Sequence, residues 1–141
     1  MKVFVDTNVL LDVLARREEF YAASAQIWSL AERGEVGASI SAISFNNVYY
    51  IVRKTRNKRT ADRAIKLLRD VFDSVAPDTR ILNQAIDSDF KDFEDAVQFH
   101  SAAQALSDFL ITRNPADFPS TQPAVLTPEE FLALWRDQDD S

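Results

Sequence analysis

The side chains best suited to chemistry in this chain are oxygen donors. Asp6 follows Lys2-Val3-Phe4-Val5, a short β-branched and aromatic run that reads as a buried strand, which puts its carboxylate at the strand's C-terminal end. In an open α/β sheet that end borders the crevice where ligands gather. Asp92, Glu94 and Asp95 stand together at the start of a helical stretch, and Asn114 and Asp117 follow a second strand-like run, Phe109-Leu110-Ile111-Thr112. Carboxylate and amide oxygens suit Mg²⁺ or Mn²⁺, whereas one solitary histidine, His100, does not suggest a zinc site. Plain structural roles exist for these acids as well, since Asp6 can cap a helix and Asp92 and Glu94 can sit at a helix N-terminus for its dipole. Asp95 is different. It lies four residues before Phe99 on the same helical face, so it can look into the fold, where a lone carboxylate is costly without a cation or donor.

The elements that must position these groups follow from periodicity. Thr7 and Asn8 open a helix with Val9, Leu10, Val13 and Leu14 inward, and a second helical stripe over residues 20–33 ends at Gly34. Residues 36–40 read as another buried strand, and Ser41 caps the helix that follows. On that helix Asn47 shares a face with Ile43, Tyr50 and Ile51, so a polar group there needs a job or a partner. Leu67, Leu68, Val71 and Phe72 continue a core face, residues 75–77 are extended, and Asp78 and Thr79 cap a helix lined by Ile81, Leu82, Ala85 and Ile86. A helix from Phe93 to about Leu106 precedes the strand at 109–112. Ala124-Val125-Leu126 is a short strand, and Thr127-Pro128-Glu129-Glu130 is a capping box for the last helix. Strands alternating with helices imply an α/β fold with a central parallel sheet flanked by helices on both faces. Residues 1–136 form a single domain, and 137–141 are expected to be a flexible C-terminal tail.

Composition narrows the function classes. With 141 residues, 46% hydrophobic, the chain can bury a real core, and only two glycines point to a helix-rich globule. The absence of cysteine excludes disulfides, thiolate metal sites and cysteine nucleophiles. No signal-peptide pattern and no apolar run long enough for a bilayer are present, so a cytoplasmic protein with no membrane partner is expected. A net charge of -6 argues against holding nucleic acid by bulk electrostatics, but carboxylates gathered around a cation would themselves contribute such a charge. One dense basic patch, Arg53, Lys54, Arg56, Lys58 and Arg59, is either a solvated helix junction or a phosphate-contacting rim.

Three blocks now carry a resemblance. Residues 5–12 (VDTNVLLD), 92–96 (DFEDA) and 109–118 (FLITRNPADF) resemble the signature blocks of PIN-domain proteins, the family of VapC-type toxin ribonucleases. The likeness runs nearly end to end. It implies a small PIN-like three-layer α/β fold, Mg²⁺- or Mn²⁺-dependent cleavage of RNA, frequent homodimerisation and, for the toxins, an antitoxin protein that occludes the site. Position by position, Asp6 matches the first metal-binding acid and Asp95 the later one. Asn114 falls where many members place a further Asp, with Asp117 as a nearby substitute, and Asn47 falls where members usually carry Glu. The matched quartet then holds two formal negatives where four are usual, which implies weaker metal affinity.

The expected mechanism is phosphodiester hydrolysis, with Asp6 and Asp95 holding the ion and Asn47, Asn114 and Asp117 completing its shell. Asn8 would orient Asp6 or a phosphate, Thr112 and Arg113 would reach a phosphate, and Arg53, Lys54, Arg56 and Arg59 would contact the RNA backbone. A degenerate PIN domain that binds RNA or a protein without cutting is the alternative, favoured by the two asparagines. A phosphatase or receiver-like module fits less well, because the third strand ends in Arg113-Asn114 without a partnering lysine. A homodimer finds weak support in Phe45, Tyr49 and Tyr50, aromatics that core packing explains equally.

Overall fold

Alternation along the first strand divides the protein into layers. In the computed structural model, which describes residues 1–139, β1 (Lys2–Val5) sends Val3 and Val5 into one core and Phe4 into another on the opposite face of the sheet. Four more strands run parallel to it: β2 (Gly37–Ser41), β3 (Asp73–Val75), β4 (Phe109–Ile111) and β5 (Ala124–Leu126), in the order β3-β2-β1-β4-β5. The central strand is thus the first one made. Because β1 is flanked by β2 on one side and β4 on the other, the chain reverses direction of travel across the sheet there. Such a switch point leaves a crevice beyond the carboxyl ends of the strands.

Helices cover both faces, as the strand and helix alternation predicted. The larger core packs α1 (Thr7–Leu14), α2 (Glu18–Glu32), α3 (Ala42–Thr55) and α4 (Lys58–Val71) against Val3, Val5, Ile40 and Ile111. On the opposite face, Phe99 and Ala102 of α6 (Phe93–Gln104) pack with Phe4 and Leu110, and α5 (Thr79–Ile86) joins α6 in a further small core of Ile81, Ala85, Ala96 and Val97. Small residues on α6 allow this close approach. Local signals act as expected at several ends. Gly34, at φ 74°, closes α2 with a Schellman pair, its own N–H bonding the Ala31 carbonyl and that of Glu35 bonding Leu30. Thr127 and Glu130 exchange the two hydrogen bonds of a capping box at the start of α7 (Pro128–Asp139).

The last helix corrects one expectation. Residues 137–139, assigned to the tail, are the final turn of α7; residues 140–141 lie outside the described part of the chain. Phe131 and Leu132 bury this helix in the larger core, Trp135 packs beside them, and Arg136 Nη2 donates to Gln26 Oε1 at 3.2 Å across to α2. Among the described residues, no helix is long and apolar enough to cross a membrane.

Candidate metal centre

Asp6 is where β1 becomes α1, and it performs both roles that its position allowed. Its N–H continues the sheet ladder to the Ile111 carbonyl at 3.0 Å, while its side chain caps α1 by accepting the Asn8 N–H at 3.2 Å. Two more donors converge on the same carboxylate: Gln98 Nε2 on Oδ1 at 3.2 Å and Thr112 Oγ1 on Oδ2 at 2.7 Å. A carboxylate offers about four lone-pair directions. Three are taken by protein donors, which leaves roughly one for a cation and fixes where it must lie.

Asp6 lines a cavity of about 270 Å³ together with Asn8, Asn47, Tyr50, Glu94 and Asp95. Three separate segments, the β1–α1 junction, α3 and the start of α6, therefore meet there at the switch point. Burial pushes the Asp95 carboxyl up to about 7, and the neighbouring charges of Asp6, Asp92, Asp117 and Glu94 push in the same direction. Glu94 is also raised, chiefly by burial and by Asp6 and Asp92, while a hydrogen bond from Asn47 Nδ2, 2.8 Å from Glu94 Oε1, opposes the rise. Crowded, partly desolvated oxygen donors of this kind fit a hard dication, which would relieve their mutual repulsion. Among the described residues no three acidic, histidine or cysteine side chains form a chelating group by themselves. Any ion here would keep much of its coordination as water, in the manner of Mg²⁺.

Burial of Asp95, with the repulsion around it, has a measurable consequence. A carboxyl whose folded pKa lies above its ordinary value of 3.8 keeps its proton in the folded state while the unfolded chain has released it. Folding stability of the chelator-treated protein should therefore fall as pH rises from about 4 to about 7, then level off. Asp95→Asn should remove that part of the slope and gain on the order of 1–2 kcal/mol at pH 7.5, after discounting for solvent screening at a half-buried site. Urea melts of both proteins at pH 5 and 7.5 read the difference. Parallel pH profiles would show that Asp95 carries no such burden.

The other expected residues divide. Asn47 and Asn8 line the cavity. Asp117 is exposed and borders the neighbouring cavity that also includes Asp95. Asn114 is exposed, and the bond that ties it to the site is made by its backbone, whose N–H donates to Thr112 Oγ1 at 3.3 Å. Thr112 is 0% exposed, so the expectation that it meets a phosphate is corrected: it holds Asp6. Arg113 is corrected likewise. Its Nε lies 3.1 Å from Oδ2 of the fully buried Asp12, and its guanidinium sits 4.2 Å over the Phe20 ring, so it is occupied inside the protein.

Arg53, Lys54, Arg56 and Arg59 are all exposed. Asn47, Tyr50, Ile51 and Lys54 fall on one face of α3, so that face leads from the cavity towards the patch, with Lys54 Nζ 5.9 Å from the Tyr50 ring. Tyr50 itself is 65% exposed, whereas Phe45 and Tyr49 pack on the core. Three participants escaped the sequence reading: Gln98, Glu94 as the partner of Asn47, and Asp12. Gln98 sits in an alanine-rich helical stretch with nothing local to distinguish it. Its Oε1 accepts the Thr7 N–H at 3.1 Å, so one amide ties α6 to both Asp6 and the start of α1.

Fold and site together define a doubly wound α/β domain with an acid-rich, oxygen-lined crevice at its switch point. The chain belongs to the PIN domain family, whose model matches residues 2–116. It is 30% identical over 139 residues to ribonuclease VapC1 of Aquifex aeolicus (strain VF5), covering 95% of each chain. Among solved structures, a toxin–antitoxin complex from Klebsiella pneumoniae superposes with a TM-score of 0.67 at 23% identity, over 89% of this chain and 97% of that one. VapC20 of Mycobacterium tuberculosis, a toxin that cleaves the sarcin–ricin loop, gives a TM-score of 0.63 at 16% identity, over 77% and 86% of the two chains. These two structures share the fold.

Proposed function

We propose that this protein is a Mg²⁺- or Mn²⁺-dependent endoribonuclease and the toxin of a toxin–antitoxin pair acting in the cytoplasm. The carrying observation is that Asp6 and Asp95, far apart in the sequence, line one cavity in which burial and then the charge of Asp6 raise the cost of ionising Asp95. Relationship to a VapC ribonuclease over 95% of the chain supports the substrate class. The bound ion would supply an activated water and charge stabilisation at the phosphate. Asp6 and Asp95 would hold it, with Glu94 and Asn47 beside them. Gln98 and Thr112 fix the Asp6 carboxylate, which costs no reorganisation at the moment of reaction. Asn8, which lines the cavity at the first turn of α1, would meet a phosphate oxygen, and Tyr50 with Lys54 and Arg53 would guide the RNA backbone away from the cavity. An antitoxin would act by covering this crevice, and the toxin would act as a homodimer.

Purified protein should cut RNA with Mg²⁺ or Mn²⁺ and stop on chelation, whereas an Asp6→Asn/Asp95→Asn double variant prepared identically should not. Equal activity in the two preparations would mean contamination and would remove the enzyme reading. The non-cutting alternative rests on Asn47 and Asn114, and it predicts RNA binding without metal-dependent cleavage.

Glu94 adds a distinct expectation. Its hydrogen bond to Asn47 brings a carboxylate to the place where Asn47 has none to offer. Glu94→Gln should raise the Mn²⁺ concentration needed for half-maximal cleavage by about 10- to 100-fold. Adding Asn47→Glu should recover most of it. An unchanged Mn²⁺ midpoint in Glu94→Gln would leave Glu94 as a mere partner of Asn47.

A further inference from the structure

Next to the metal centre, and sharing Asp92 and Asp95 with it, is a second cavity of about 640 Å³. We propose that it is a base-binding subsite, taking one unstacked nucleobase that carries an exocyclic amino group and thereby selecting where along an RNA the chain cuts. The proposal rests on the ribonuclease reading above. The volume lies within the range of about 300–1,000 Å³ typical of ligand pockets.

Its walls suit a base more than a backbone. Phe90, Phe99 and His100 form an interlocked aromatic cluster, with ring centroids 5.6 Å apart for Phe90 and Phe99 and 6.2 Å for Phe90 and His100. Single-stranded RNA is recognised by stacking unstacked bases on such rings and by hydrogen bonding their edges. Edge readout needs polar groups, and the cavity has them. His100 Nε2 is buried and has no hydrogen-bond partner, which is costly for a ring nitrogen unless something supplies one. Burial also lowers the His100 pKa, so the imidazole is neutral near pH 7 and can serve as either donor or acceptor at Nε2.

The charge of the lining decides which base. Asp89, Asp92, Asp95 and Asp117 are acceptors, and among the described residues Lys91 is the one cation and no arginine lines the cavity. Carboxylates accept from amino hydrogens, as acidic side chains do from cytosine N4. Cytosine, adenine and guanine all present an amino group; uracil presents none. Adjacency to Asp95 puts the bound base beside the phosphate held at the metal centre, so discrimination here becomes discrimination among cleavage sites.

Cytidine and uridine hexamers have rings of the same size and differ on one edge, a 4-amino group and acceptor N3 against a 4-carbonyl and N3–H, so they compare edge readout at little difference in stacking. Fluorescence anisotropy with labelled C6 and U6, in chelator so that no cleavage occurs, should show about tenfold tighter binding of C6. His100→Phe keeps a ring but removes the nitrogen and should bring the ratio to about two or less. Asp117→Asn, an exposed change that does not threaten folding, should reduce the ratio in the same direction. Equal binding of C6 and U6 by the unaltered protein, or a ratio unchanged in both variants, overturns the proposal and would assign the cavity to a protein partner. Because binding is read without cleavage, failure of the nuclease reading is separable: it would show as preserved C6 preference with no metal-dependent cutting.

Discussion

Replacing Asp6 by asparagine is expected to lower metal-dependent RNA cleavage by about 10³-fold, several kcal/mol of transition-state stabilisation at about 1.4 kcal/mol per tenfold. Two losses combine. The charge that would hold the ion disappears, and one oxygen becomes an NH₂ group where the carboxylate now accepts from three donors. Asn8 N–H, Gln98 Nε2 and Thr112 Oγ1 all point hydrogens at Asp6, and an amide can accept on only one of its two ends. Gln98 cannot flip to compensate, because its Oε1 already accepts the Thr7 N–H. Gln98→Leu offers the contrasting case. It leaves the charge but frees the carboxylate from α6, and a loss of about 10- to 100-fold is expected from disturbed orientation. In cells, arrested growth on expression should be relieved by Asp6→Ala. Cleavage by Asp6→Asn within tenfold of the unaltered protein would place the metal elsewhere.

How much of this was legible in the sequence depends on how far apart the interacting residues lie. The junction at Asp6 was readable because a strand, an acid and a helix start are consecutive, and the capping box at Thr127 and Glu130 was readable for the same reason. Strand alternation gave the parallel sheet, although its order, and with it the switch point, emerged only in three dimensions. Asp95 was singled out by helical spacing from Phe99, a local property. Glu94 was treated as a dipole partner because its bond to Asn47 spans two helices that pattern alone cannot dock. Thr112 and Arg113 look like phosphate ligands from their place after a strand. Whether such a side chain turns outward or inward depends on what lies beneath it, and beneath Arg113 lies an acid from α1.

That acid, Asp12, is 0% exposed, and Arg113→Ala is expected to destabilise the protein by about 3 kcal/mol, a fall of roughly 10 °C in Tm. Removing one partner of a buried pair leaves an uncompensated charge, which costs more than the pair contributed. Arg17, with Nη1 3.6 Å from Asp12 Oδ1, moderates the loss, and the contact over the Phe20 ring adds to it. Burial already lifts the Asp12 pKa, against the pull of Arg113 and Arg17. Without Arg113 it rises further, so the folded state would keep a proton that the unfolded chain releases above about pH 4. The penalty should consequently be small in acid and grow towards neutral pH. Asp12→Asn in the same background should recover much of the stability, since a buried amide is less costly than an orphaned carboxylate. Thermal melts at pH 4.5 and 7.5 of the three variants test the sign and the coupling together. If Arg113→Ala melted like the unaltered protein while its affinity for RNA fell, Arg113 would belong to the substrate after all, and the ion pair with Asp12 would be incidental to the fold.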